Sequence, residues 1–360
     1  MRLLNRILCA CLTVLMLSGV CFVGFAADAP ASLTVACSNV EGLPIPALFS
    51  SRHKIVPAAE KKLGAMLNQS GTDVVCVQED FQFHALLASQ MTNYPYRTFT
   101  SGGIPVGDGL NVFSKYPIYN VERVAWDTFS GILTNDNDGL TPKGFLKCTL
   151  DVGGILIDLY DIHTDASKTM EDQLAKKAQF EQLNAYIDAH SAGRPVLITG
   201  DFNCTLHTYY YAEFYETMID KAGFRDVWVE TVNGGNYLRG DDAEAIIARY
   251  NAQYNDLFKG LWDSYERLVY RGAGGVAFTP TAHQYTFYTD RPDEPQALSD
   301  HAVMTCTLQI SAQDYERPQT ALRAPEDKPF GEKAACAFRM VTRCVRLILS
   351  DLFRLVRELF

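Results

Sequence analysis

Five short segments of this sequence set polar residues at the ends of apolar runs, and each carries a side chain that can ligate a metal or move a proton. Asn39 follows Leu33-Thr34-Val35-Ala36-Cys37, Glu79 follows Val74-Val75-Cys76-Val77-Gln78, and His163 follows the apolar stretch 155–162. Asp201 and Asn203 follow Val196-Leu197-Ile198-Thr199-Gly200, while Asp300 and His301 precede the run 302–307. A strand end delivers a side chain accurately, because the backbone behind it is fixed by its neighbours. Any one of these residues alone reads most simply as a turn former or a solvated surface group. Five of them in one domain point to a shared site. All of them are of metal-ligand or acid/base type, the donor set that a hard cation with oxygen ligands takes.

The surrounding pattern supplies elements that could hold such a site. Strands are expected over 33–37, 72–77, 109–114, 195–199, 265–270, 285–288 and 302–309, with 144–152 and 154–162 forming a hairpin. Helices are expected over 57–67, 84–91, 168–189, 217–223 and 241–255, the third ended by Gly193. Strands joined by both hairpins and helices imply two packed sheets flanked by helices.

Against this background the sequence resembles the endonuclease/exonuclease/phosphatase superfamily over nearly all of residues 32–310. The resemblance rests on Asn39-Val40 with Gly42-Leu43-Pro44, Val77-Gln78-Glu79, Ile162-His163, Gly200-Asp201-Phe202-Asn203 and Ser299-Asp300-His301, in the family's order. Gly-Asp-x-Asn followed by a distant Ser-Asp-His is its most specific part, and Gly109-Leu110-Asn111-Val112-Phe113-Ser114 before Lys115-Tyr116-Pro117 adds to it. The resemblance implies a four-layer α/β sandwich of two mixed sheets, with the site at one mouth of the sheets. It also implies roles. Glu79, assisted by Asn39 and completed by Asp300, would hold Mg2+, with Mn2+ as a substitute. His301 would be the general base, and Asp201 and Asn203 would position the attacking water or a second metal. His163 would donate to a phosphoryl oxygen. A carboxylate should orient His301, and Glu266 stands where the family has aspartate, one methylene longer. Lys143 and His84 are candidate substrate contacts. Tyr209-Tyr210-Tyr211, with Phe214 and Tyr215, is either core or an aromatic rim for a headgroup or base.

Composition narrows the choice of substrate. The chain has 360 residues, 48% hydrophobic and 21% charged, with net charge −10. Residues 1–26 carry +2 and residues 332–360 carry +3, so the body over 27–311 carries −14. An acidic body does not attract polyanions over distance, which weighs against nucleic acid. Arg2 and Arg6, the apolar run 7–23 and Gly24-Phe25-Ala26 read as an export signal over 1–26. The ten cysteines show no zinc spacing, and Cys37, Cys76, Cys148, Cys204 and Cys306 lie in or beside apolar runs as small buried hydrophobes. A charged linker over 311–331 leads to 332–360, where Arg339, Arg343, Arg346, Arg354 and Arg357 fall within roughly 80° of helical arc opposite large apolar residues. This C-terminal amphipathic helix either packs on the domain or lies at a membrane surface.

The expected function is an exported, monomeric, metal-dependent phosphoesterase acting on a phosphodiester, with a phospholipid of the sphingomyelin type first. A secreted nuclease and an inositol-phosphate phosphatase are the alternatives. The non-enzymatic alternative is a membrane-bound scaffold with a decayed site.

Overall fold

Val74-Val75-Cys76-Val77 has no polar face, and a strand apolar on both sides belongs in the middle of a layered structure. The computed structural model describes residues 32–44, 56–132, 135–166, 169–204, 214–237 and 265–359. The export segment, the 241–255 helix, His53, His207 and Tyr209-Tyr210-Tyr211 lie outside the described residues. Two six-stranded sheets are present. One contains β1 (Ser32–Asn39), β2 (Val74–Gln78), β3 (Tyr96–Arg97), β4 (Asn111–Ser114), β11 (Val276–Thr286) and β12 (Val303–Ala312), in the order β11-β12-β1-β2-β4-β3. The other contains β5 (Ile118–Ala125), β6 (Gly144–Val152), β7 (Ile155–His163), β8 (Val196–Asp201), β9 (Arg225–Asp226) and β10 (Glu266–Arg271), in the order β5-β6-β7-β8-β10-β9. Both sheets are mixed: β1–β2 and β7–β8 are parallel pairs among antiparallel ones.

The period-two pattern of the central strands builds the layers. Val74 and Cys76 of β2 point toward the second sheet and meet the same core as Leu197 of β8, Ile157 and Leu159. Val75 and Val77 point the other way, against Leu63 and Leu67 of α1 (Val56–Gln69) and Leu87 of α2 (His84–Ala88). Val196 and Ile198 of β8 likewise meet Phe180, Leu183 and Ile187 of α3 (Met170–His190). A π-helical turn (Tyr215–Lys221) and α4 (Val227–Val232) complete that outer layer through Met218 and Trp228. The result is a four-layer α/β sandwich with apolar cores between successive layers. Each fully buried leucine in it contributes about 1.5–3 kcal/mol.

Local signals set the element ends. Thr169 caps α3 by accepting from the Asp172 backbone N–H, and the Asp172 carboxylate returns the bond to the Thr169 N–H. Helix α3 ends at His190, and Gly193 follows with φ +74°. The expected 285–288 strand is only the end of the longer β11, and the expected 217–223 helix is the π-helical turn. The 84–91 helix stops at Ala88, and β5 was not anticipated. Behind the strand ends, Gln78 Nε2 donates to Asp161 Oδ1 at 2.6 Å and ties the sheets together. Burial pushes the Asp161 carboxyl well above the usual carboxylate range, partly offset by the Gln78 amide.

The segment after β12 is strapped to the second sheet rather than free. Arg317 donates twice to Asp151, at 3.0 and 2.7 Å, and Asn120 and Arg323 exchange hydrogen bonds at 2.8 and 2.9 Å. Helix α5 (Phe330–Leu359) follows. Among the described residues no helix is long and apolar enough to cross a membrane.

Gly200 is where the packing leaves no room. Its φ is +144°, and a Cβ there would lie 2.0 Å from the Ile162 carbonyl oxygen on β7. Gly200→Ala is therefore expected to cost about 3 kcal/mol or more in urea unfolding, from strain plus a backbone clash. Gly193→Ala, with positive φ but open space around it, is expected to cost only about 1–2 kcal/mol. Equal costs at the two positions would show that β7 and β8 do not depend on this close approach.

Candidate active site

The two sheets end side by side, and each supplies part of one polar cluster. Pairing of β7 with β8 sets His163 opposite Asp201, and pairing of β10 with β8 sets Glu266 opposite the same Asp201. From the first sheet, β1 ends at Asn39 beside Gln78 of β2, and Glu79 follows with φ +57°. This left-handed turn lifts Glu79 off the strand direction and toward the cluster. The Asn39 amide joins the halves: its Nδ2 donates to Glu79 Oε1 at 3.1 Å and to Asp201 Oδ2 at 3.0 Å.

The Ser299-Asp300-His301 loop is fastened to the end of β1. Ser299 Oγ donates to the Asn39 carbonyl at 2.7 Å and accepts from the His301 N–H at 3.1 Å. The Asp300 N–H donates to Glu41 Oε2 at 3.0 Å. Serine is needed here because one small hydroxyl performs both tasks. His301 then meets Glu266, with Nδ1 to Oε1 2.5 Å. The glutamate spans the gap that its extra methylene had put in question. Asp201 Oδ2 is 4.0 Å from Nδ1, and Asp300 Oδ1 is 3.7 Å from Nε2. Burial would lower the basicity of this imidazole, but Glu266, then Asp201 and Asp300, carry it well above the ordinary range. The surroundings thus favour the imidazolium that a general base becomes after accepting a proton.

His163 is in the opposite condition. Burial first, then the Lys143 cation, push it down to about 3, so it stays neutral. Its Nε2 lies 3.6 Å from Asp201 Oδ2, and its carbonyl accepts from Trp126 Nε1 at 2.7 Å. Burial would raise Asp201, but His163, His301, the Asn39 amide and the Asn203 N–H more than offset it and hold it below its usual value. Asn203, at φ +44°, donates its backbone N–H to Asp201 Oδ1 at 2.9 Å and its amide to the Thr164 carbonyl at 3.2 Å.

Lys143 joins the cluster through residues that sequence reasoning missed. Its ammonium pairs with buried Asp138 and reaches the Thr164 carbonyl at 3.4 Å. Burial would lower its basicity, but Asp138, then Glu79 and Asp201, hold it above the usual value. Asp138 also accepts from the Ala166 N–H at 2.9 Å. Only the tertiary fold brings these loops together, so no local signal marks them. His84 is instead bound to Asp80 at 2.5 Å, with Asn111 donating to the same carboxylate at 2.9 Å. Its ring stacks on Phe113, and none of its described contacts reaches the cluster.

The donor set fits a hard divalent cation. Glu79 Oε2 is buried without a hydrogen-bond partner among the described residues, and burial pushes its carboxyl up. Lys143, the Asn39 amide and His301 offset that burial only in part, which leaves this oxygen open to a further positive charge. Asp201, Glu266 and His301 each offer an atom within 4.8 Å of the others. Because Glu266 and His301 are committed to each other, an ion here would draw on Asp201 and the partnerless oxygen of Glu79.

Comparison with known proteins gives a consistent picture. Residues 38–301 match the Endonuclease/Exonuclease/phosphatase family. A sphingomyelinase of Mycobacterium tuberculosis is 33% identical over 208 residues, which are 54% of this chain and 38% of the relative. The matched stretch is thus well under half of that relative's length. D. rerio TDP2, solved with a single-strand DNA product, superposes with TM-score 0.55 at 17% identity, covering 78% of this chain and 99% of its own. The beta toxin of Staphylococcus aureus, a mutant solved with bound magnesium ions, gives TM-score 0.51 at 17% identity, covering 76% and 99%. At those identities the two structures speak for the shared fold alone.

The Asn39 bridge is open to direct measurement. Asn39→Asp would set a third carboxylate between Glu79 and Asp201. It is expected to cost about 2 kcal/mol or more in chelator, with part of the loss recovered as a higher melting temperature in Mg2+. Unchanged melting in chelator would mean that the amide does not join these carboxylates.

Proposed function

The chain belongs to the Endonuclease/Exonuclease/phosphatase family, and from that premise we propose that it is an exported phosphodiesterase that cleaves a phospholipid of the sphingomyelin type with a divalent cation. The observation that carries the reaction class is the Glu266–His301 pair, set against a cluster with an only partly compensated carboxylate in Glu79. The identity to a mycobacterial sphingomyelinase and the acidic body over 27–311 support the choice of substrate. Arg2, Arg6 and the apolar run 7–23 support export.

Glu79 and Asp201, with Asn39 and Asp300 beside them, would hold Mg2+ or Mn2+. Bound there, the cation offsets charge on the phosphoryl and leaving oxygens. His301, its Nδ1 turned to Glu266, presents Nε2 to the attacking water and takes its proton as the new P–O bond forms. The bond to the leaving alcohol breaks, its oxygen takes a proton from solvent water, and His301 releases the proton it accepted to solvent. Glu266 keeps the ring oriented and stabilises the resulting imidazolium. Neutral His163 donates an N–H to a phosphoryl oxygen, where added negative charge makes that bond strongest. Lys143 contributes a fixed positive charge beside the carboxylates. Asn203, its amide nitrogen held by Thr164, leaves its oxygen to orient the water.

The test runs sphingomyelin, plasmid DNA and inositol phosphates in parallel with Mg2+. Hydrolysis of sphingomyelin is expected, abolished by EDTA and restored by Mg2+ or Mn2+. His301→Ala is expected to lower kcat by about two to four orders of magnitude, Glu266→Gln by less, and Glu79→Gln to weaken the metal requirement for folding stability as well as the rate. Cleavage of DNA with sphingomyelin untouched would transfer the reading to a nuclease. Full activity in chelator would remove the metal-assisted mechanism.

A further inference from the structure

Eight of the twelve large apolar side chains that are exposed among the described residues lie on α5. Six of them, Phe338, Val341, Val345, Leu349, Leu352 and Val356, recur at spacings of three and four. At 100° per residue they fall within about 80° of arc, one continuous stripe along the helix. The catalytic body does not cover it. The side that faces the body is that of Arg343, whose Nη1 donates to the Gly139 carbonyl at 3.0 Å and whose guanidinium lies 5.1 Å from the Phe129 ring centroid. One face of α5 thus docks on the domain, and the apolar face looks outward.

We propose that the outward stripe of α5 seats the protein on an anionic lipid bilayer, with the helix lying in the plane of the interface. Two features of α5 select lipid over a second copy of the chain. Arg339, Arg346, Arg354 and Arg357 flank the stripe on one side. Between Arg339 and Arg357 the sole carboxylate is Asp351, which Arg354 already engages at 2.7 Å. Self-pairing through the stripe would bring arginines together with no acid to receive them, whereas anionic headgroups supply that charge along the whole helix. The helix is also too charged to cross a membrane, so its apolar stripe can be covered by lipid only from one side.

The anchor has a bearing on the catalytic cluster. Gly139, which receives Arg343, directly follows Asp138, the partner of Lys143. A Cβ at Gly139 would lie 2.1 Å from Ile132 Cδ1 and 2.6 Å from Phe129 Cε2, so those side chains would have to shift to admit one. The helix that meets the lipid is thus fastened to the segment that holds the lysine of the site. The surface is independent of which phosphodiester is cleaved.

The experiment uses the full chain with phosphatidylserine-containing vesicles and pure phosphatidylcholine vesicles. Co-sedimentation with the anionic vesicles is expected, weakening as salt rises. Val345→Glu combined with Leu349→Glu is expected to reduce that binding at least tenfold with the melting temperature unchanged, since both side chains are exposed. Arg346→Glu with Arg357→Glu gives a second reading that leaves the apolar stripe intact, and is expected to abolish the preference for anionic vesicles. Slower amide exchange across 338–356 on adding vesicles would place the contact on α5 rather than on the apolar run 7–23. Binding that neither pair of substitutions reduces, or a dimer in sedimentation that the Val345/Leu349 pair dissolves while vesicles go unbound, overturns the proposal.

Discussion

Negative charge gathered in a buried place is the constraint from which the rest of this molecule follows. Glu79, Asp201, Glu266 and Asp300 come from four separate segments and end at one mouth of the sandwich. The oxygens of Glu79 and Asp201 that share the Asn39 amide lie at most about 6 Å apart. Two full charges at that separation repel by about 3 kcal/mol even at an effective dielectric of about 20. The protein answers locally with an amide, a lysine and two histidines of unlike character. His301 is drawn toward the charged form by carboxylates, and His163 is kept neutral by burial. One carboxylate oxygen of Glu79 is left without an answer, and there a divalent cation fits.

Holding those groups together requires two sheets that cannot slide. Asn39, Glu79 and the Ser299–His301 loop belong to one sheet, and His163, Asp201, Asn203 and Glu266 to the other. A shift of one residue in either sheet would turn every second side chain to the opposite face. Register is held by the apolar alternation of β2 and β8, by the close approach that Gly200 permits, and by the Gln78–Asp161 hydrogen bond directly behind the mouth. That last contact uses a carboxyl whose burial disfavours its charged form.

Much of this could be read from the sequence, because central strands are written as unbroken apolar runs and the side chain that ends each run is conspicuous. Asn39, Glu79, His163, Asp201, Asn203 and His301 all came from that signal, whereas Glu266 came only from the family resemblance, which asks for a carboxylate at that place. Other parts had no such signature. Strand β11 lies at a sheet edge, alternates between buried and exposed, and contains Pro280 at a register shift, so its apolar pattern is diluted. Asp138 reaches Lys143 only through tertiary contact between loops. His84 looked like a site residue because it is near Glu79 in the chain, yet the turn after Glu79 carries it onto Asp80 and Phe113. The segment before α5 has the composition of a free linker, yet the Arg317 side chain is tied to Asp151 and the Gly154 carbonyl, and the Arg323 backbone to Asn120.

The cysteines carry a practical consequence. Cys37, Cys76, Cys148, Cys204 and Cys306 are sealed in the layers, while Cys336 and Cys344 on α5 are partly open to solvent. Among the described thiols, a maleimide dye would therefore react first on the helix and last in the core. The native sequence thus carries its own attachment points for an optical reporter on α5, with the catalytic layers silent in the same spectrum.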